Sequence, residues 1–142
     1  MFNNILVAVD LDDETGWGRV LSAALEIARA SNARVHLIHV VPGFGLSVVG
    51  QYFPEGTEER ILAEAQSNLH SFAEEHVDAD LRDSCVIGNG TVYQEILDGA
   101  DRIGADLIVM GSHRPSMRDY LLGPNAARVV RHAPVSVLVV RD

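Results

Sequence analysis

Leu107-Ile108-Val109-Met110-Gly111-Ser112 is a run of apolar residues stopped by a glycine and a hydroxyl side chain. A run this short, with no polar residue alternating in it, reads as a strand covered on both faces. A glycine at its end lets a ligand or a neighbouring chain approach the backbone. The same pattern recurs on either side. Ile5 to Val9 is apolar and closed by Asp10, Val35 to Val41 is stopped by Pro42 and Gly43, and Val135 to Val140 is a further strand. Leu81 to Ile87 is a weaker strand that ends in Gly88-Asn89-Gly90.

Between these runs the apolar spacing changes from that of a strand to that of a helix. Val20, Leu21, Ala24, Ile27 and Ala28 form one stripe until Ser31 and Asn32, and Ile61, Leu62, Ala65, Leu69, Phe72 and His76 form another starting from Thr57. Thr57 with Arg60 falls short of a full capping box. Val92, Ile96, Ala100 and Ile103 make a third stripe, and Ala126, Ala127, Val129 and Val130 a short fourth. Strand and helix therefore alternate from end to end, which predicts an α/β fold with a parallel sheet covered on both faces. The expectation is an open, five-stranded, Rossmann-like sheet with strand order 3-2-1-4-5. In such sheets ligands sit beyond the carboxyl ends of the strands, where the strand order reverses. That places a site near Asp10, Val40 and Gly111.

Composition narrows what the site does. The 142 residues suit one domain, residues 1–142, with one core. Twenty acidic residues against eleven basic ones leave a net charge of -9, which repels nucleic-acid backbones and anionic membranes, so neither is expected as a partner. Every basic residue is arginine. Without lysine there is no phosphate-loop lysine, no Schiff base and no receiver-domain lysine. Cys85 is the only cysteine and lies in an apolar strand, which suits a reducing compartment, and no signal-like segment precedes the first strand; both point to the cytoplasm. Residues 35–54 carry no Asp, Glu or Arg, but Pro42, Gly43, Gly45 and Gly50 argue for a strand and loop rather than a membrane span. The loop from Pro42 to Pro54, with Phe44, Tyr52 and Phe53, is a candidate lid or partner surface.

The polar stretch that follows Gly111 leads through Ser112-His113-Arg114-Pro115-Ser116 to Leu121-Leu122-Gly123-Pro124-Asn125. A glycine at a strand end and another at a helix start suggest a phosphate cradle, and equally suit ordinary turn chemistry. Asp10, Asp12, Asp13 and Glu14 resemble a magnesium cluster, but no Asp ends the third strand, Leu81 to Ile87, and no lysine accompanies them. They read instead as favouring the first helix N-terminus, with Asp10 turned to the cleft. His36 and His39, three apart in a strand, point to opposite faces and read as structural.

Taken together, Ile5-Leu6-Val7-Ala8-Val9-Asp10, Leu37-Ile38-His39-Val40, Gly104 through His113, and Leu121-Leu122-Gly123 through Val140 resemble the universal stress protein family over essentially the whole chain. The resemblance implies a Rossmann-like fold, binding of ATP or AMP (with any magnesium carried by the phosphates), and a role in stress response or signalling. Carried over residue by residue, it puts Ala8 and Asp10 at the adenine and ribose edge, Val40 on the base, and Met110 with Gly111 along the ribose. His113, Arg114, Gly123 and Asn125 would meet the phosphates. It further implies a homodimer paired antiparallel through Val135–Val140. The chain departs from the common glycine motif in three places: Arg114 replaces the middle glycine, eight residues separate it from Gly123, and Pro124 stands where a hydroxyl residue belongs. The Ser-His-Arg-Pro loop with Gly-x-Asn-Ala resembles a subclass with nucleotide-binding members. An enzyme reading finds neither a Ser/Gly-rich loop after the first strand nor a His-x-Gly-His pair, and no general base. The alternatives are a protein-interaction module with a vestigial site and a protein with weak ATP hydrolysis or self-phosphorylation.

Overall fold

The computed structural model describes residues 1–13, 16–42, 55–112 and 123–141. Five strands alternate with four helices: β1 (Asn4–Ala8), α1 (Trp17–Ser31), β2 (Arg34–Pro42), α2 (Thr57–His76), β3 (Arg82–Gly90), α3 (Val92–Ile103), β4 (Leu107–Gly111), α4 (Pro124–His132) and β5 (Ser136–Val140). All four strand pairings are parallel, in the order β3-β2-β1-β4-β5, as expected. The order reverses beside β1, the first strand laid down, which has β2 on one side and β4 on the other.

Period-two alternation within the strands divides the core in two. Ile5, Val7, Val35, Leu37, Leu107 and Val109 face α1 and α2, packing with Val20, Leu21, Ala24, Leu69 and Ala73. Leu6, Ile38, Ile108 and Met110 face α3 and α4, packing with Ile96, Ala100, Ala126 and Val129. The central strands have no polar face because both sides are covered. Among the described residues, no helix is long and apolar enough to cross a membrane.

Local chemistry moves several boundaries from their expected places. Glycines were expected to end β3 after Ile87, but pairing with β2 continues through Val40↔Gly88, Val41↔Asn89 and Pro42↔Gly90. Asn89 secures the extension: its N–H donates to Glu95 Oε1 (3.2 Å) and its Nδ2 to Glu58 Oε1 (2.8 Å), tying the strand end to α3 and α2. α2 is capped by Gly56 with a left-handed φ of 86°, and Thr57 is its first helical residue. α1 starts at Trp17 with no acidic residue in its first turn, so the expected aid from Asp12–Glu14 takes another form. The Asp13 carboxylate lies over Gly16, the N-cap, where a β-carbon would stand 2.5 Å from Asp13 Oδ2. Glu14 lies outside the described residues, as does most of the proposed lid loop, with Phe44, Tyr52 and Phe53.

Candidate functional site

Beyond β1 the chain must turn toward α1, and Asp10 shapes the turn. Asp12 N–H donates to Asp10 Oδ1 (3.0 Å), and Asp13 N–H donates to the Asp10 carbonyl (3.1 Å). Short acidic side chains favour this closure onto their own backbone two residues on. It orients the exposed carboxylate, and Oδ2 has no partner among the described residues. His39 approaches the same turn from β2, with Nδ1 3.1 Å from the Val9 carbonyl oxygen and 3.3 Å from the Leu11 nitrogen.

The second half of the site comes from β4 and α4. Gly111 ends β4 in contact with α1, and a β-carbon there would stand 3.3 Å from Val20 Cγ2. Gly123 N–H donates to the Ser112 carbonyl (3.2 Å), which holds the start of α4 against the residue that follows β4. Gly123 is also the N-cap of α4, with Pro124 at the first helical position. The first rung of this helix is Ala127 N–H to the Gly123 carbonyl (3.0 Å), so the N–H groups of Asn125 and Ala126 have no intrahelical acceptor. N–H groups without an intrahelical acceptor, at the positive end of a helix dipole, favour an anion.

Between the halves lies a cleft of about 580 Å³ at the carboxyl ends of β1, β2 and β4. Its volume is that of an ordinary small-molecule site. Ala8, Ile38, Val40, Ile96 and Met110 give it apolar walls, and Asp10, Gly123 and Asn125 line it as well. Seven of the expected residues (Ala8, Asp10, Val40, Met110, Gly111, Gly123 and Asn125) line this one cleft. His113 and Arg114 lie outside the described residues.

Sequence reasoning missed Trp17, His39, Ser112 and Ala126, which line the same cleft. Trp17 is the only tryptophan and stands between Gly16 and Gly18 at the start of α1, a signal available in the sequence. Its ring packs edge-on against Phe72 (4.7 Å, 84°) and against His76 (4.5 Å), so a cleft wall is braced on α2. His36 lies on the other face of β2, as expected, with Nδ1 2.6 Å from Ser84 Oγ and Nε2 3.0 Å from Asn4 Oδ1. Burial lowers its pKa, against Asp83, which raises it. Burial pushes the Cys85 thiol up, the reverse of what a reactive thiolate needs.

The sequence matches the model of the Universal stress protein family over residues 1–141. It is 31% identical to universal stress protein G of Escherichia coli O157:H7, over 99% of this chain and all of that protein. The fold matches the universal stress protein from Archaeoglobus fulgidus in complex with dAMP at a TM-score of 0.67 and 26% identity, covering 96% of each chain. A universal stress protein in complex with cAMP matches at a TM-score of 0.58 and 26% identity, covering 99% of this chain and 97% of that one.

Proposed function

This chain belongs to the universal stress protein family, and on that premise we propose that its strand-end cleft binds an adenine nucleotide, AMP or ATP, and that it acts as a cytoplasmic regulatory or signalling module. The observation that carries this reading is that one cleft is lined both by the oriented carboxylate of Asp10 and by the start of α4, where the Asn125 and Ala126 N–H groups have no intrahelical acceptor. A carboxylate beyond a strand end suits the hydroxyls of a ribose, and a helix N-terminus suits phosphate. The apolar walls between them suit a base. In this assignment Ala8 and Asp10 take the adenine and ribose edge, Val40 packs on the base, and Met110 and Gly111 follow the ribose. Gly123 and Asn125 meet the phosphates, together with His113 and Arg114, and any magnesium arrives on the phosphates. The dAMP and cAMP complexes of the two relatives support an adenine-type ligand.

No residue is assigned a catalytic role. Pro124, which brings no N–H to the helix start, favours the second reading, an interaction module with a vestigial site. Titration calorimetry with AMP, ADP and ATP decides between them. Micromolar affinity is expected; no heat and no thermal shift at millimolar nucleotide would overturn the nucleotide reading. Asp10→Ala removes a contact at an exposed turn, so binding should weaken by roughly tenfold with the melting temperature nearly kept. Unchanged affinity in that variant would move the ribose elsewhere.

A further inference from the structure

β1 leaves its ladder with β2 after Ala8, yet the backbone just beyond it is not left to water. Val9 N–H makes one more bond, to the Ile38 carbonyl (2.9 Å), and the next groups in line are the Val9 carbonyl and the Leu11 N–H. A single atom, Nδ1 of His39, lies within hydrogen-bond range of both, at 3.1 and 3.3 Å. Those two backbone groups flank Asp10. His39 is only 6% exposed, so water is a poor substitute for it. A neutral imidazole nitrogen either donates or accepts, so Nδ1 serves the carbonyl in one tautomer and the N–H in the other. In the accepting tautomer Leu11 N–H donates to Nδ1 and pins the backbone on one side of Asp10, while Asp12 N–H fixes the carboxylate on the other.

We infer that His39 is a positioning residue for nucleotide binding, acting through Nδ1 on the Val9–Leu11 backbone so that Asp10 faces the cleft. This rests on the adenine-nucleotide reading and adds a part to it. His39 itself need not touch the ligand.

The chemistry of the side chain offers a sharp test. Both δ atoms of asparagine are bonded to Cγ, as imidazole Nδ1 is, whereas the polar atoms of glutamine lie one bond further out, at the level of Nε2. His39→Asn therefore keeps a polar group where the inference needs it, and His39→Gln moves one of equal polarity away. Leucine removes it altogether. AMP affinity is measured by calorimetry for the wild type and all three variants, and Leu11 amide exchange is measured by NMR without ligand. Asn is expected to bind within about threefold of the wild type with Leu11 still protected, while Gln and Leu lose about tenfold and exchange Leu11 faster. Gln retained and Asn lost would overturn the inference in favour of a contact through Nε2. Equal Leu11 exchange in the four proteins would overturn the positioning role while leaving the nucleotide reading intact. A wild type that binds no AMP overturns that reading and the role in binding with it, whatever Leu11 does. Thermal melts of the variants identify any that fail to fold, and the exchange comparison then rests on those that do.

Discussion

Pro124 occupies a position where structure and ligand chemistry make opposite demands. Its fixed φ suits the first residue of α4, and its missing N–H would find no partner inside the helix. A phosphate at that end would use both this N–H and a serine hydroxyl. One hydrogen bond to a charged group contributes roughly 1.5–3 kcal/mol. Pro124→Ser should therefore tighten ATP binding by roughly tenfold and leave adenosine nearly unchanged, read by titrating both ligands at one ionic strength. Equal ATP affinity in the two proteins would show that position 124 does not face the phosphates. Residues such as Asp10, Val40 and Gly111 were legible because a strand end in a parallel sheet has a known place in space. His39 was not: its contact reaches back twenty-eight positions to Leu11, and nothing in its neighbourhood along the chain announces that partner.

At the scale of elements, Gly88-Asn89-Gly90 reads as a turn because glycine and asparagine dominate turns, yet here the triplet completes β3. The reason is tertiary: α3 packs so close that a β-carbon at Gly88 would stand 2.8 Å from Glu95 Cβ and 3.2 Å from Val40 Cγ2. Glu95 Cβ, next to the helix backbone, cannot swing aside as the tip of a long side chain does. Gly88→Ala should therefore push α3 from the sheet and destabilise the fold by about 1–3 kcal/mol, measured by urea unfolding. An unchanged midpoint would mean that α3 yields to the added methyl group at no cost. At the opposite end of the same strands, His36 clasps β1 to β3 through Asn4 and Ser84. Burial depresses its folded pKa below the ordinary 6.5, so the unfolded chain takes up this proton first. The His36 contribution is full above 6.5 and is lost as pH falls from there through the lower folded value. The urea midpoint of the wild type should fall more steeply between about pH 7.5 and pH 5 than that of His36→Gln. Parallel slopes would remove His36 from the pH dependence.

For the molecule as a whole, alternation of strand and helix made the fold class legible, and the early placement of β1 between β2 and β4 put the cleft where strand-end reasoning expected it. Assembly is less legible, since it depends on which backbone groups an edge strand turns outward. β5 is an edge of the sheet, with Val137, Leu138, Val139 and Val140 only partly buried. Ser112 N–H donates to the Val140 carbonyl (3.0 Å), so Val140 faces β4. N–H and C=O of one residue point the same way along a strand and alternate from residue to residue, which puts Leu138 on the β4 side as well. Val137 and Val139 therefore turn their backbone groups to the open edge, where a second copy can add a strand, as an apolar edge invites. We propose that two copies pair there, and proline distinguishes this edge from the ladder beside it. Val137→Pro removes an outward N–H and is tolerated on an edge strand, so it should give a folded monomer. Leu138→Pro removes an N–H from the ladder with β4 and should cost stability whatever the assembly state. Light scattering with circular dichroism on the wild type and both variants tests this directly. A wild type at the mass of one chain would overturn the dimer, and a Val137→Pro protein that stays dimeric would move its interface to another face.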